Sequence, residues 1–169
     1  MRRRVATSSR ATGCVVLAVV LTTGCATASL DVLVPVPVPI DNVKLVIEDE
    51  TRGDVSPDQM RNLKRTLTAE LEQSGIEVLA PSSTVPAARV VGRIESFDPG
   101  LRALRFISRY GFGTGVLDSS WLVEDPYSNA VARCRIEGSI SMGTFGGDFQ
   151  DVQEETGKAL ARFLRGDIR

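Results

Sequence analysis

From residue 43 onward the hydrophobic positions recur at two different periods, and each change of period predicts a new element. Val43, Leu45 and Ile47 fall at every second position, which predicts a strand over 43–49 with one face buried. Met60, Leu63, Leu67 and Leu71 recur at three and four, the stripe of an amphipathic helix. The limits of that helix are also written in the chain. Ser56 is placed to cap it, Pro57 takes the first helical position, Gln59 stands three residues after the cap, and Gly75 is the natural stop. Period two returns over 76–79 and again over 89–97, where Asp98-Pro99-Gly100 closes the strand. Leu101, Leu104 and Ile107 suggest a brief helix. Strands over 116–124 and 130–140 predict a hairpin around "DPYSN", with Trp121 among its inward residues. After the glycine-rich "MGTFGGD", a last helix is marked by Phe149, Val152, Thr156, Ala159, Leu160 and Phe163. The order β-α-β-β-(short α)-β-β-α predicts an α+β domain: a mostly antiparallel sheet of four to five strands with two main helices packed on one face.

The residues before 43 follow another logic. Arg2, Arg3, Arg4 and Arg10 form a basic leader, and Val15 to Leu21 is an unbroken apolar run, short of the about 20 residues that a membrane span needs. Basic leader, short apolar core and small residues are the parts of a secretory signal. Here the small residues end on a cysteine, Thr22-Thr23-Gly24-Cys25. The stretch resembles the lipobox of bacterial lipoproteins, in which the cysteine thiol receives diacylglycerol and becomes the first mature residue. Thr22 departs from that pattern, since leucine is commoner three places before the cysteine. The other readings are a plain signal cut after Ala26 or Ala28, or an uncleaved anchor. Pro35, Pro37 and Pro39 then alternate with valines, which predicts a stiff extended spacer of about 3.1 Å per residue, or else an edge strand. The expected organisation is a signal peptide over 1–24, a lipidated Cys25 with its spacer over 25–42, and a single domain over 43–169.

Composition narrows the chemistry. A mature chain of 145 of the 169 residues suits one domain that buries about two thirds of its unfolded surface. The chain carries 20 Lys and Arg against 21 Asp and Glu, and losing the four leader arginines brings the remainder to −5. That balance does not point to nucleic acid. No histidine is present, which removes Ser-His-Asp and Cys-His catalysis and every His-based metal site. No acidic pair sits in a catalytic motif: Glu48, Asp49 and Glu50 read as an exposed strand end, and Asp148 and Asp151 as the favoured acidic start of a helix. With Cys14 in the leader and Cys25 acylated, Cys134 is left on the apolar face of its strand, as a small core residue. The expectation is therefore a protein that is not an enzyme and takes no cofactor or metal.

One stretch invites a binding role. Gly111, Gly113 and Gly115 have spacing that can cradle phosphate, but only where a strand precedes and a helix follows, and here that order is reversed. They read as a hinge. Arg102, Arg105 and Arg109 fall at helical spacing just before it. They form either a solvated face or a basic stripe for headgroups, an acidic partner or a small anionic ligand.

Across "VVGRIESFDPGLRALRFISRYGFGTGVLDSSWLVEDPYSNAVA" the chain resembles a domain-of-unknown-function family of bacterial envelope lipoproteins. The resemblance rests on Gly92, Ile94, Phe97, Gly100, Ala103, Leu104, Arg105, Gly111, Phe112, Gly113, Gly115 and Asp125. Val116 and Asn129 depart from the family's lysine and glycine. More distantly, the element order is similar to small periplasmic domains of the TolB translocation protein and of curli-secretion lipoproteins. The resemblance implies a non-enzymatic envelope role. Joined to the lipobox, it leads to the expectation of a domain held at the membrane by lipid on Cys25, with an envelope protein or a second copy as partner. Ala26 after the cysteine, in place of an inner-membrane retention aspartate, favours the periplasmic face of the outer membrane.

Overall fold

The computed structural model describes residues 26–51, 55–99, 115–140 and 148–167. Eight elements follow one another: β1 (Ala26–Val34), β2 (Asn42–Asp49), α1 (Pro57–Gln73), β3 (Glu77–Val78), β4 (Ala88–Asp98), β5 (Val116–Glu124), β6 (Ala130–Ile140) and α2 (Phe149–Arg165). The strands form one six-stranded sheet in the order β1-β6-β5-β4-β2-β3. The β1–β6, β6–β5 and β5–β4 pairs are antiparallel, whereas β2 runs parallel to both β4 and β3. The α+β class and the two main helices are as the hydrophobic periods predict. The brief helix expected around Leu101, Leu104 and Ile107 lies outside the described residues.

Both helix starts follow from their sequence. The Ser56 hydroxyl accepts from Gln59 N–H while the Gln59 side chain accepts from Ser56 N–H, a reciprocal capping box with Pro57 at the first position. Asp148 and Asp151 do the same for α2, and Gly166, with φ of 73°, closes it. Asp125 organises the hairpin turn: its Oδ1 accepts from Tyr127 and Asn129 N–H and its Oδ2 from Asn129 Nδ2. Those bonds hold its carboxyl below the usual range.

One correction concerns 25–42. Rather than standing as a spacer, Ala26–Val34 forms β1, paired along β6 from Ala26↔Ile140 to Val34↔Arg133. Ala26, Ala28, Leu30 and Val32 turn inward and pack against the core. The alternation is real but built from small residues, and the following prolines disguise it as linker. The prolines come where the chain turns from β1 to β2, and there Ile40 N–H donates to the Leu164 carbonyl at the end of α2.

The core lies between the sheet and the helices, with Trp121 at its centre. Its indole fills the space that a side chain on Gly92, directly opposite on β4, would need: a β-carbon there would stand 2.3 Å from the ring. The indole Nε1–H donates to Ser119 Oγ at 2.9 Å, and that hydroxyl donates to the Ile136 carbonyl at 3.3 Å. Glycines also bring the layers together. Val152 and Thr156 of α2 lie over Gly138, and Glu70 of α1 lies over Gly157. A bulge between Ile94 and Ser96 shifts the inward register of β4, so that Phe97 rather than Ser96 reaches the core. There it meets Phe149 edge to face at 4.9 Å. Replacing Gly92 by alanine should lower stability by about 2 kcal/mol through overpacking. Combining it with Trp121→Leu should cost less than the sum of the two changes, as read from denaturant midpoints in a double-mutant cycle.

Candidate functional site

Most of the residues singled out in the sequence lie outside the described residues: Cys25, Arg102, Arg105, Arg109, Gly111 and Gly113. Gly115 is described, and it is a packing point. A β-carbon on it would stand 2.8 Å from the Phe149 ring, and its carbonyl accepts from Ile140 N–H. Cys134 is fully buried, and burial pushes its thiol up to about 12, which makes it an inert core residue. Glu48, Asp49 and Glu50 form the exposed strand end that their spacing suggests. Glu48 and Glu50 both pair with Arg93, and Asp49 Oδ1 accepts from the N–H and hydroxyl of Thr51.

The strand register gives the domain two distinct ends. Ala26 pairs with Ile140, Ser139 with Val116, and Val116 with Asp98, so the start of β1 shares one end with the end of β6, the start of β5 and the end of β4. Cys25 directly precedes this end, and the chain leaves the sheet here at Pro99 and Ile140. At the opposite end, apolar side chains stand in solvent. Leu33 and Val34 close β1, Val85 precedes β4, Tyr127 caps the hairpin at 86 % exposure, and Val38 reaches 67 %. Pro37, Pro39, Pro126 and Val131 line a shallow concavity among them. The sequence pattern missed this end because it is assembled from turns, where no period marks exposure.

The sheet face away from the helices carries charged pairs around an apolar row, Val46, Val91 and Leu122, set side by side across β2, β4 and β5. Arg89 pairs with Glu124 at 2.7 Å, Arg93 with Glu48 at 3.3 Å, and Arg135 with Glu95 at 3.4 Å and Glu137 at 3.5 Å. Pairs this exposed contribute little stability. They give the face a patterned charge. Asp118 and Glu137 stand directly opposite each other on β5 and β6. Partial burial, reinforced by Glu137 and Glu95 and opposed by Arg135, raises the Asp118 carboxyl above its ordinary value. Equal steps outward from the turn would have set Asp118 against Ile136; a bulge between Val123 and Glu124 shifts the register by one residue and brings Glu137 opposite instead.

With this geometry in place, the chain can be set against known proteins. No family model matches it, and no curated protein does. Solved structures share its fold. The PelC dodecamer from Paraburkholderia phytofirmans matches in two crystal forms, at 17 % and 16 % identity with TM-scores of 0.54 and 0.51; they cover 83 % and 85 % of this chain and 98 % of that one. A Xanthomonas campestris protein of family DUF330 matches at 12 % identity and a TM-score of 0.54, covering 79 % of this chain and 92 % of its own. At such identities the likeness is one of fold.

Because the folded Asp118 carboxyl takes a proton more readily than the unfolded one, its charge opposes folding above its raised value and ceases to do so as pH falls through it. Asp118→Asn should therefore raise stability near neutral pH by about 0.5 kcal/mol, the scale of one like-charged cross-strand pair. The gain should fade toward acid pH, where the carboxyl is protonated in both states. Denaturant melts of both proteins across pH would check it.

Proposed function

We propose that the protein is a lipid-anchored accessory of the bacterial cell envelope. In this reading diacylglycerol on Cys25 holds it at the periplasmic face of the outer membrane, and it works by contact with other envelope proteins or with its own copies rather than by catalysis. The observation that carries the reading is the two-ended layout. The residue proposed to bear lipid abuts one end of the sheet without a linker, while exposed apolar side chains gather at the other. A domain tethered in this way presents Leu33, Val38 and Tyr127 away from the bilayer. Apolar groups so displayed mark surfaces that associate. Self-assembly draws further support from the fold shared with PelC, whose solved form is a dodecamer.

Two measurements test this. Palmitate should label the protein in a bacterial host, and Cys25→Ala should abolish the label and move the chain from the membrane to the soluble fraction. The purified protein should run as a multimer in light scattering. The double change Leu33→Asp and Val38→Asp should reduce it to a monomer with an unchanged melting temperature. Unlabelled wild-type protein would overturn the anchor. A wild-type monomer that crosslinks to nothing in intact envelopes would overturn the contact role.

A further inference from the structure

Two buried side chains end in polar groups that the fold does not use. Glu70 of α1 is 8 % exposed and Gln153 of α2 is 7 % exposed. Among the described residues neither side chain makes a hydrogen bond. Buried carboxyl and carboxamide groups left unpaired are costly, and native proteins tolerate few of them. Their positions explain why these two stay unsatisfied. Both line a groove of about 590 Å³ that runs between α1 and the start of α2. The buried Phe97–Phe149 pair closes one side of the groove, and Asn62 and Arg65 stand along its rim.

The groove has a definite chemistry. Among the described residues its lining holds Glu70, Asp148 and Glu154 against the single cation Arg65, an excess of two negative charges. Arg65 is turned to Asn62 Oδ1 at 3.0 Å, and Glu154 accepts from Gln150. Asp148 is committed to capping α2. Glu70 is left as the carboxyl that can take a new donor. Burial keeps it above its ordinary value, with Glu154 and Glu155 adding to the effect and Lys158 opposing it, while the Lys158 ammonium itself donates to Glu155. A guanidinium or ammonium entering the groove would restore the lost hydration of Glu70 with a charge-assisted bond. The Gln153 carboxamide, both donor and acceptor, matches a main-chain peptide group.

We propose that the groove between α1 and α2 binds an extended segment of a partner polypeptide, with an arginine or lysine side chain reaching Glu70 and the adjoining main chain pairing with Gln153. The inference deepens the protein-contact reading and rests on it. It names the chemistry of one partner and a contact face distinct from the apolar end.

The full chain in detergent, titrated calorimetrically with blocked tripeptides, provides the test. Acetyl-Gly-Arg-Gly-amide should bind. The neutral isostere with citrulline in place of arginine should bind about tenfold more weakly or worse, the scale of one charge-assisted hydrogen bond. Glu70→Gln should erase the preference for arginine, and Gln153→Met should weaken both peptides while keeping that preference. The melting temperature of each variant is followed to show that it folds. On peptide binding, the Glu70 carboxyl resonance should titrate at lower pH in the unsubstituted protein, which tests the contact without any variant. Equal affinity for arginine and citrulline peptides would overturn the proposal. Methylguanidinium binding as tightly as the tripeptide would overturn the peptide assignment. Binding that appears only after Arg102, Arg105 and Arg109 are replaced by glutamine would assign the groove to this chain's own segment and overturn the partner. None of these outcomes touches palmitate labelling or the multimer, so failure here is separable from failure of the proposed function.

Discussion

The contact between the Trp121 ring and the bare backbone of Gly92 is the constraint on which the rest of the domain depends. A ring of that size at the centre of a two-layer core needs a neighbour without a side chain, and β4 supplies one directly opposite. The indole N–H must also be satisfied away from water, and Ser119 relays it to the Ile136 carbonyl, so one side chain ties β4, β5 and β6 together. With the sheet centre fixed, α2 settles over Gly138 and α1 settles over Gly157 of α2. Most of the large apolar groups are then spent on one face of the sheet, while Val46, Val91 and Leu122 lie side by side on the other. Around that row the outer face carries its arginine–glutamate ladder. A domain built this way has its core filled by side chains, which leaves rims, ends and grooves as its working surfaces.

The elements that could be read from the sequence are those whose evidence is local. Ser56, Pro57 and Gln59 are neighbours, and so are the residues of the Asp125 turn; each fixes its geometry within a few positions. The alternation around Trp121 and Cys134 likewise placed both in the core. For β1 the edge strand was only the second reading of the stretch that follows Asp31, and its start at Ala26 was not legible, because its partner lies about a hundred residues away, at Arg133 to Ile140. Its inward positions are mostly alanine and valine beside serine and threonine, which carry weak signal, and the prolines after it argue for linker. The parallel insertion of β2 between β3 and β4 was hidden for the same reason, since strand order is a tertiary choice that periodicity does not record.

The groove residues were hidden in a different way. Position 70 falls on the buried stripe of α1, three residues after Leu67 and next to Leu71, and position 153 falls beside Val152 on the stripe of α2. Read as a stripe, each is a polar residue where an apolar one belongs. That conflict between pattern and residue type was present in the sequence, and it is the kind of local inconsistency that functional positions tend to produce. Arg102, Arg105 and Arg109 attract attention because charge is conspicuous, whereas a single glutamate among leucines does not.

Loss of the spacer changes what the proposed anchor would do. A lipid on Cys25 followed at once by β1 would leave no slack, so the end of the sheet holding Asp98, Val116 and Ile140 would rest against the headgroups. Phe97, Pro99 and Asp148 line the groove at this same end. A basic segment held there would have two competitors for its cation: the anionic lipid surface and the Glu70 carboxyl. The surface acts through screened attraction that fades within about 8 Å at physiological salt. Glu70 acts at contact, in a partly desolvated setting where the same charge pair is stronger. The competition would favour the groove only for a cation that reaches its floor. A long side chain such as arginine or lysine can do so while its backbone remains at the rim beside Asn62 and Arg65. On this argument, proximity to the bilayer would recruit basic segments in general, and depth of burial at Glu70 would choose among them.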